Sequence, residues 1–336
     1  MSHSSPATDL LALVRAHRLT DIVAVAARLG VPDALADGPA HVATIAAATG
    51  SHEETLYRLL RALAAAGVLH EDGDRRFSLT AAGAYLSADN PQSLRGWVAL
   101  VDRPYMREAW ANLEHSVRTG ENSFASLHGE DVWQWRRHEP EEAATFNRAM
   151  GALSAGVGSA LATAFDFGQA ALVADIGGGS GSLLAAVLRQ HPRLRGVLFD
   201  QPSVVTEANE IERAGVADRC EVVGGNFFEA VPPGADLYLM KAILHDWEDA
   251  EATAILRTIR TAIDGSGRLL VVERVIGPPN EDLDGKLSDL HMLVMPGGRE
   301  RTADEWAVLL RAGRFELDEI RPLVLGWQLL IGTPAS

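Results

Sequence analysis

The chain has 336 residues, 47% of them hydrophobic, a formal net charge of −15 and one cysteine. This length favours two domains with ample buried core, and the acidic balance argues against nucleic acid, whose binders present a basic face. One cysteine excludes an intramolecular disulfide and fits a reducing cytoplasm; Cys220, beside Val222 and Val223, reads as a small core residue. No basic-plus-apolar leader pattern stands at the start, and the longest apolar runs, 22–27 and 62–69, are too short to span a membrane. A soluble cytoplasmic protein with no membrane partner is expected.

Residues up to about 165 are alanine-rich and helical in period. An apolar helix around Leu10–Leu29 has the character of a subunit interface. A short helix over 41–48 and a turn at Thr49-Gly50 lead into a second helix over 53–66, with Leu56, Leu59, Leu60 and Leu63 on one face. Val68-Leu69-His70 and Phe77-Ser78-Leu79 flank an acidic turn, Glu71 to Asp74, which is a hairpin signal. Helix–turn–helix plus a two-stranded wing suggests DNA binding. Only Arg58 and Arg61 lie on the would-be recognition helix, however, and phosphate neutralisation needs several cations. A packing or dimerisation module is the better reading. The expected division is 1–100 for this module, 101–165 for a helical connection, and 166–336 for a second domain.

From about Ala171 the pattern becomes strands alternating with helices, the mark of a mostly parallel sheet in an α/β fold. The expected strands are 171–176, 196–200, 221–224, 236–241 and 268–275, separated by helices over 182–190, 204–213 and 251–263. Ligands of such sheets bind at the carboxyl ends of the strands.

The first of these strands runs into Asp175-Ile176-Gly177-Gly178-Gly179-Ser180-Gly181. Glycine there lets backbone approach a ligand. No lysine accompanies the loop, so it is not a Walker-type phosphate cradle, and Ser182 replaces the last glycine of the dinucleotide fingerprint. Asp175 would repel a pyrophosphate but suits a cation. S-adenosylmethionine (SAM), with an amino group, a sulfonium and no phosphate, fits; an NAD-dependent dehydrogenase is the rival. Asp200, about twenty residues on, stands where a carboxylate reaches ribose hydroxyls, and Asn226 with Phe227 ends the third strand where an adenine edge and face could be met.

Together the segments 175–181, Phe199-Asp200-Gln201-Pro202, 225–229, Lys241-Ala242-Ile243-Leu244-His245-Asp246-Trp247 and Gly297-Gly298-Arg299-Glu300-Arg301-Thr302 resemble SAM-dependent O-methyltransferases of the class I fold. The likeness is to the bacterial natural-product branch, related to plant caffeate-type enzymes, and covers nearly the whole chain. It implies a Rossmann-like mostly parallel sheet behind an N-terminal winged-helix dimerisation domain, and a homodimer. It also implies that Asp175, Gly177 and Gly179 face the methionine moiety and Asp200 the ribose, with Gln201 among the cofactor-binding residues. Asn226 and Phe227 would take the adenine, with Lys241 near the cofactor. The family usually has aspartate where Asn226 stands; the amide keeps one acceptor oxygen.

Methyl transfer from a sulfonium needs alignment and a place for the acceptor's proton. His245, just past the fourth strand, is placed to take that proton from a phenol as a neutral imidazole. By the resemblance, Glu273 and Glu300 bracket and orient the histidine; Asp246 is expected to cap the following helix. The eleven histidines show no metal-type spacing beside acids, so no metal is expected. Phe146, Asn147 and Met150 match a family segment lining the acceptor cleft, joined by Met106, Trp110, Trp247, Met292 and Met295, a set suited to a flat hydroxylated aromatic. N-methylation, SAM-dependent hydroxylation or decarboxylation, and a SAM-sensing winged-helix regulator are the alternatives; the presence of His245 and the acidic charge weigh against the last two classes.

Overall fold

The computed structural model describes residues 5–206 and 209–335, so part of the expected helix over 204–213, at 207 and 208, lies outside the described residues, as do 1–4 and 336. The chain forms two compact units, Met1–Arg107 and Glu108–Ser336.

The first unit opens with two helices, Pro6–Arg15 and His17–Leu29, where the sequence suggested one; they meet at Ala16, whose φ of −59° and ψ of −30° stay helical. Ser5 caps the first, accepting from the Thr8 N–H, and none of its residues is buried. Leu10, Leu11, Leu13 and Val14 stand 61%, 49%, 67% and 62% exposed. A three-stranded antiparallel sheet then forms from β1 (Ala40–His41), β2 (Leu69–Glu71) and β3 (Arg76–Leu79) in the order β1-β3-β2. Helices Val42–Thr49 and Glu53–Ala65 pack over it through Val42, Ile45, Leu56, Leu60, Leu63 and Phe77. The wing and its hairpin stand as read, with β1 as a third strand. Arg75 at the wing pairs with Glu54 and lies 4.3 Å from the centre of the Tyr57 ring, which Arg61 also faces.

The second unit is built on seven strands: β4 (Leu172–Ile176), β5 (Arg195–Asp200), β6 (Cys220–Gly224), β7 (Leu237–Lys241), β8 (Arg268–Glu273), β9 (Phe315–Pro322) and β10 (Gln328–Pro334). Their order is β6-β5-β4-β7-β8-β10-β9. The first five are parallel; β10 runs antiparallel between β8 and β9. The five expected strands thus fall within one or two residues of their places, while β9 and β10 are additional. Alternation sorts the central strands between two cores. Val173, Leu198, Leu239 and Val272 face helix Ser182–Gln190 and the long helix Pro140–Ala164. Ala174, Val197, Tyr238 and Val271 face helices Asp249–Ala262 and Ala303–Ala312. The sheet order reverses at β4, so the loops after β4, β5, β7 and β8 open together at one edge. No helix of the described residues is long and apolar enough to cross a membrane.

Candidate active site

The loop after β4 is built by glycine. Gly177, Gly179 and Gly181 have φ of 72°, 58° and 84°, a region costly for side-chain-bearing residues. A Cβ on Gly177 would lie 2.5 Å from Ile243, while at Gly179 nothing lies within 4 Å. Asp175 is buried beneath the loop, and its Oδ2 has no hydrogen-bond partner among the described residues. Burial, then the charge of Asp200, pushes its pKa up to about 7, against the pull of Lys241.

Asp200 braces the loop: its carboxylate accepts from the N–H of Gly179 at 2.8 Å and of Gln201 at 2.6 Å. Gln201 contributes this backbone group, its side chain being exposed. Asn226 has two local partners. Its Oδ1 accepts from the Phe228 N–H at 3.1 Å, and its amide donates to Glu229 at 3.0 Å. Half-buried Phe227 lies beside it, 5.0 Å from the Phe228 ring centre. Lys241, at the end of β7, is buried with its ammonium 4.2 Å from the centre of the Trp327 ring. Burial lowers its pKa to about 8, opposed by the charges of Glu273 and Asp175.

Past Lys241 the chain turns through Ala242, a residue with φ of 54° and no glycine's freedom. Glu273 Oε1, at the end of β8, accepts the next two N–H groups, from Ile243 at 3.0 Å and Leu244 at 2.9 Å. Arg301, 1% exposed, donates to the carbonyls of Leu244, Trp247 and Arg299 and to Asp249. Gly298 completes the fit, since a Cβ there would stand 2.1 Å from the His245 carbonyl oxygen.

This frame sets the His245 ring. Its Nδ1 lies 3.0 Å from Glu300 Oε1 and 3.4 Å from Glu273 Oε2, and its Nε2 lies 3.5 Å from Asp246 Oδ1. Ser288 donates to the same Glu300 oxygen at 2.7 Å, and Glu300 N–H is held by Asp289. An ionised carboxylate only accepts, so the proton between the two sits on Nδ1 and Nε2 is the exchangeable atom. Burial pulls the imidazole pKa down, but Glu273, Glu300 and Asp246 more than reverse this, to about 10. Burial raises Asp246 to about 7 with His245 opposing, and raises Glu273. Glu300 is held below the ordinary range by His245 and Ser288 in spite of burial. Asp246 caps nothing: the next helix starts from Glu248 without a side-chain cap. Its position beside Nε2 explains its burial better.

His245, Glu273 and Glu300 are also the group of three, among the described residues, whose ligand-type atoms lie within 4.8 Å of one another. Metal-type spacing along the chain could not reveal it, because the three come from separate elements. The Nδ1–H to Glu300 bond places a proton where a cation would otherwise bridge them.

Of the expected acceptor-side residues, Phe146, Asn147 and Met150 are half-buried along one stripe of helix Pro140–Ala164, with Phe146 edge-on to Trp133 at 5.6 Å. Met292 and Met295 are buried at the end of helix Leu283–Val294, and Asn122 fixes the Met295 carbonyl. Trp110 donates its indole N–H to His291 Nδ1 at 3.1 Å. Trp247 groups elsewhere, edge-on to Phe228 at 4.8 Å and Phe227 at 6.2 Å. Met106 is buried in the first unit. The sequence reading passed over Trp327, Ser288, Arg301, Arg136 and His291. Trp327 sits in the β9–β10 turn, which was not read as a hairpin; Gly298-Arg299-Glu300-Arg301 carried a usable signal for Arg301.

Over residues 110–316 the chain matches the O-methyltransferase domain family, and over 11–89 the O-methyltransferase dimerisation domain. It is 44% identical over 306 residues to the mitomycin biosynthesis 6-O-methyltransferase of Streptomyces lavendulae, which covers 90% of this chain and 87% of that one. A phenazine O-methyltransferase of Lysobacter antibioticus is 39% identical over 326 residues, 97% and 95% of the two chains. Among solved structures, human N-acetylserotonin methyltransferase in complex with SAM matches with a TM-score of 0.91 at 26% identity over 100% of both chains. The chain belongs to the SAM-dependent O-methyltransferase family, with a class I methyltransferase fold behind an N-terminal dimerisation domain.

Proposed function

We propose that this enzyme methylates a hydroxyl of an aromatic secondary metabolite, with His245 as the base that takes the hydroxyl proton. The observation that carries this reading is the buried imidazole whose Nδ1–H is held by Glu300, which leaves Nε2 to exchange a proton. Relatives named for mitomycin and phenazine biosynthesis support the acceptor class. The single cysteine fits work in the cytoplasm, and the dimerisation domain with its exposed leucines fits a homodimer.

SAM, when bound, supplies an electrophilic methyl group. The chain fits it: Asp175 has a buried oxygen lacking a partner among the described residues, and the space over Gly179 is open. Asp200 Oδ1 and Oδ2 each keep a lone pair for ribose hydroxyls beyond the N–H groups they hold. Phe227 offers its face to the adenine, and Asn226 stiffens the turn that presents it. On the acceptor side, phenol and the His245 imidazolium both sit near pKa 10, so exchange of the proton between them is nearly level. The reactive arrangement, phenolate against imidazolium, has one proton fewer than the resting pair of imidazolium and phenol. Asp246 beside Nε2 gives that proton a carboxylate to leave through.

The deprotonated pair is therefore the active one, and kcat/KM should climb with pH from 7 toward about 10; a profile that falls over this range contradicts the base assignment. His245→Gln should lower turnover by about 10²–10⁴-fold with little change in SAM affinity by calorimetry, and undiminished turnover sinks the reading. Full activity after exhaustive EDTA treatment is expected, and restoration only by a divalent cation would make the cluster a metal site. Asp175 has a raised pKa in the fold, so its contribution to stability is greatest below 3.8 and is lost as pH rises through about 7. A cationic ligand reverses that loss, so SAM should raise Tm more at pH 8 than at pH 6, and the difference should vanish in Asp175→Asn. Light scattering should give twice the chain mass, falling to one chain in the double variant Leu10→Glu, Leu13→Glu; an unshifted dimer would place the interface elsewhere.

A further inference from the structure

Helix Leu283–Val294 brings one more side chain to the base cluster. Ser288 and Asp289 hold Glu300, and His291, a turn further on, has no part in that work. Trp110 Nε1 meets His291 Nδ1 at 3.1 Å, with the rings nearly parallel at 20° and 6.1 Å between centres. An indole N–H only donates, so His291 Nδ1 must be the acceptor. The ring is neutral: burial, then the positive charges of His245 and Arg136, push its pKa down to about 4, against Glu300. Its one proton is consequently on Nε2. Nothing among the described residues accepts it.

Arg136 supplies a second feature of the same sign. It is buried on helix Val132–His138, with its guanidinium 3.8 Å from the centre of the Phe146 ring and 5.2 Å from that of Trp133. Its charge acts on both His291 and Asp246. A donor that cannot accept, stacked on an indole and within the field of a buried cation, complements an oxygen carrying negative charge on a flat ligand. Methyl transfer and proton removal need neither residue.

We infer that His291, fixed as an Nε2–H donor by Trp110, is a specificity residue that binds a carbonyl-type oxygen on the same fused-ring skeleton as the hydroxyl facing His245. The acceptor is then a hydroxylated aromatic ketone, quinone or carboxylate. A bare phenol lacks the recognised oxygen. The inference rests on the proposed role of His245.

The test compares three acceptors with the full-length enzyme and SAM: 2-naphthol, 2-acetyl-3-hydroxynaphthalene and 3-hydroxy-2-naphthoate. The wild type should favour one or both oxygen-bearing members over 2-naphthol by about tenfold in kcat/KM, the scale of one well-placed hydrogen bond. The acetyl and carboxylate arms separate a neutral carbonyl from an anion. In His291→Leu the ratio should collapse toward one, with most of the change in KM, and His291→Gln, which restores an N–H donor, should recover part of it. General damage to the fold would depress all three acceptors together and leave the ratio in place. A wild type with no preference, including one that takes none of the three, overturns the inference, as does a preference that survives in His291→Leu. His245→Gln, measured on the same acceptors, should lose all of them alike. That result keeps the base role standing even if the His291 ratio fails.

Discussion

The site depends on how the segment from Ala242 to Trp247 is held. A loop leaving a parallel strand carries unpaired N–H and C=O groups into the interior, where each must find a partner. Glu273 takes two of the N–H groups and Arg301 two of the carbonyls, so one buried acid and one buried base share the task. Each is itself stabilised by what it binds: Glu273 gains donors, and Arg301 gains Asp249. The result is a rigid frame carrying His245 into a cluster of three carboxylates. The strained φ of Ala242 is the visible cost of turning so sharply at the end of β7.

The two halves of the pocket are electrostatically joined. Lys241 lies within the field of Asp175 on the cofactor side and of Glu273 on the acceptor side. Asp175 and the carboxylates around His245 are therefore linked through Lys241 in one buried charge system, where water is too scarce to screen a change of charge at either end. An acidic shell around the histidine favours the imidazolium, the form that the proposed base role would produce.

Much of this was legible in the chain. The glycine loop, Asp200 and the Lys241–Trp247 segment lie at ends of strands whose apolar runs are unmistakable, so period and punctuation sufficed to place them. Strands β9 and β10 escaped because charge dominates Phe315–Pro322, an edge strand with one wet face, and because β10 pairs with a strand distant in sequence. Trp327 was lost with them. The role of Asp246 was misread since helix-cap chemistry is local and its burial beside His245 is not. Arg136 and His291 were invisible for the same reason: what they do is decided by Phe146 and Trp110, which reach them from other helices.

The insertion of β10 between β8 and β9 carries a consequence for how the protein is made. Strand β8 bears Glu273, yet one of its edges stays open until the whole of Arg274–Trp327 has been synthesised and β10 threads into place. Until then a nascent chain exposes a long apolar strand edge, the kind of surface that recruits other strands. Closure of the sheet by so distant a segment is expected to be slow. Glu273 itself pairs with Gln328, so the side chain that holds the Ile243 and Leu244 N–H groups sits on a strand edge that is covered only once β10 has docked.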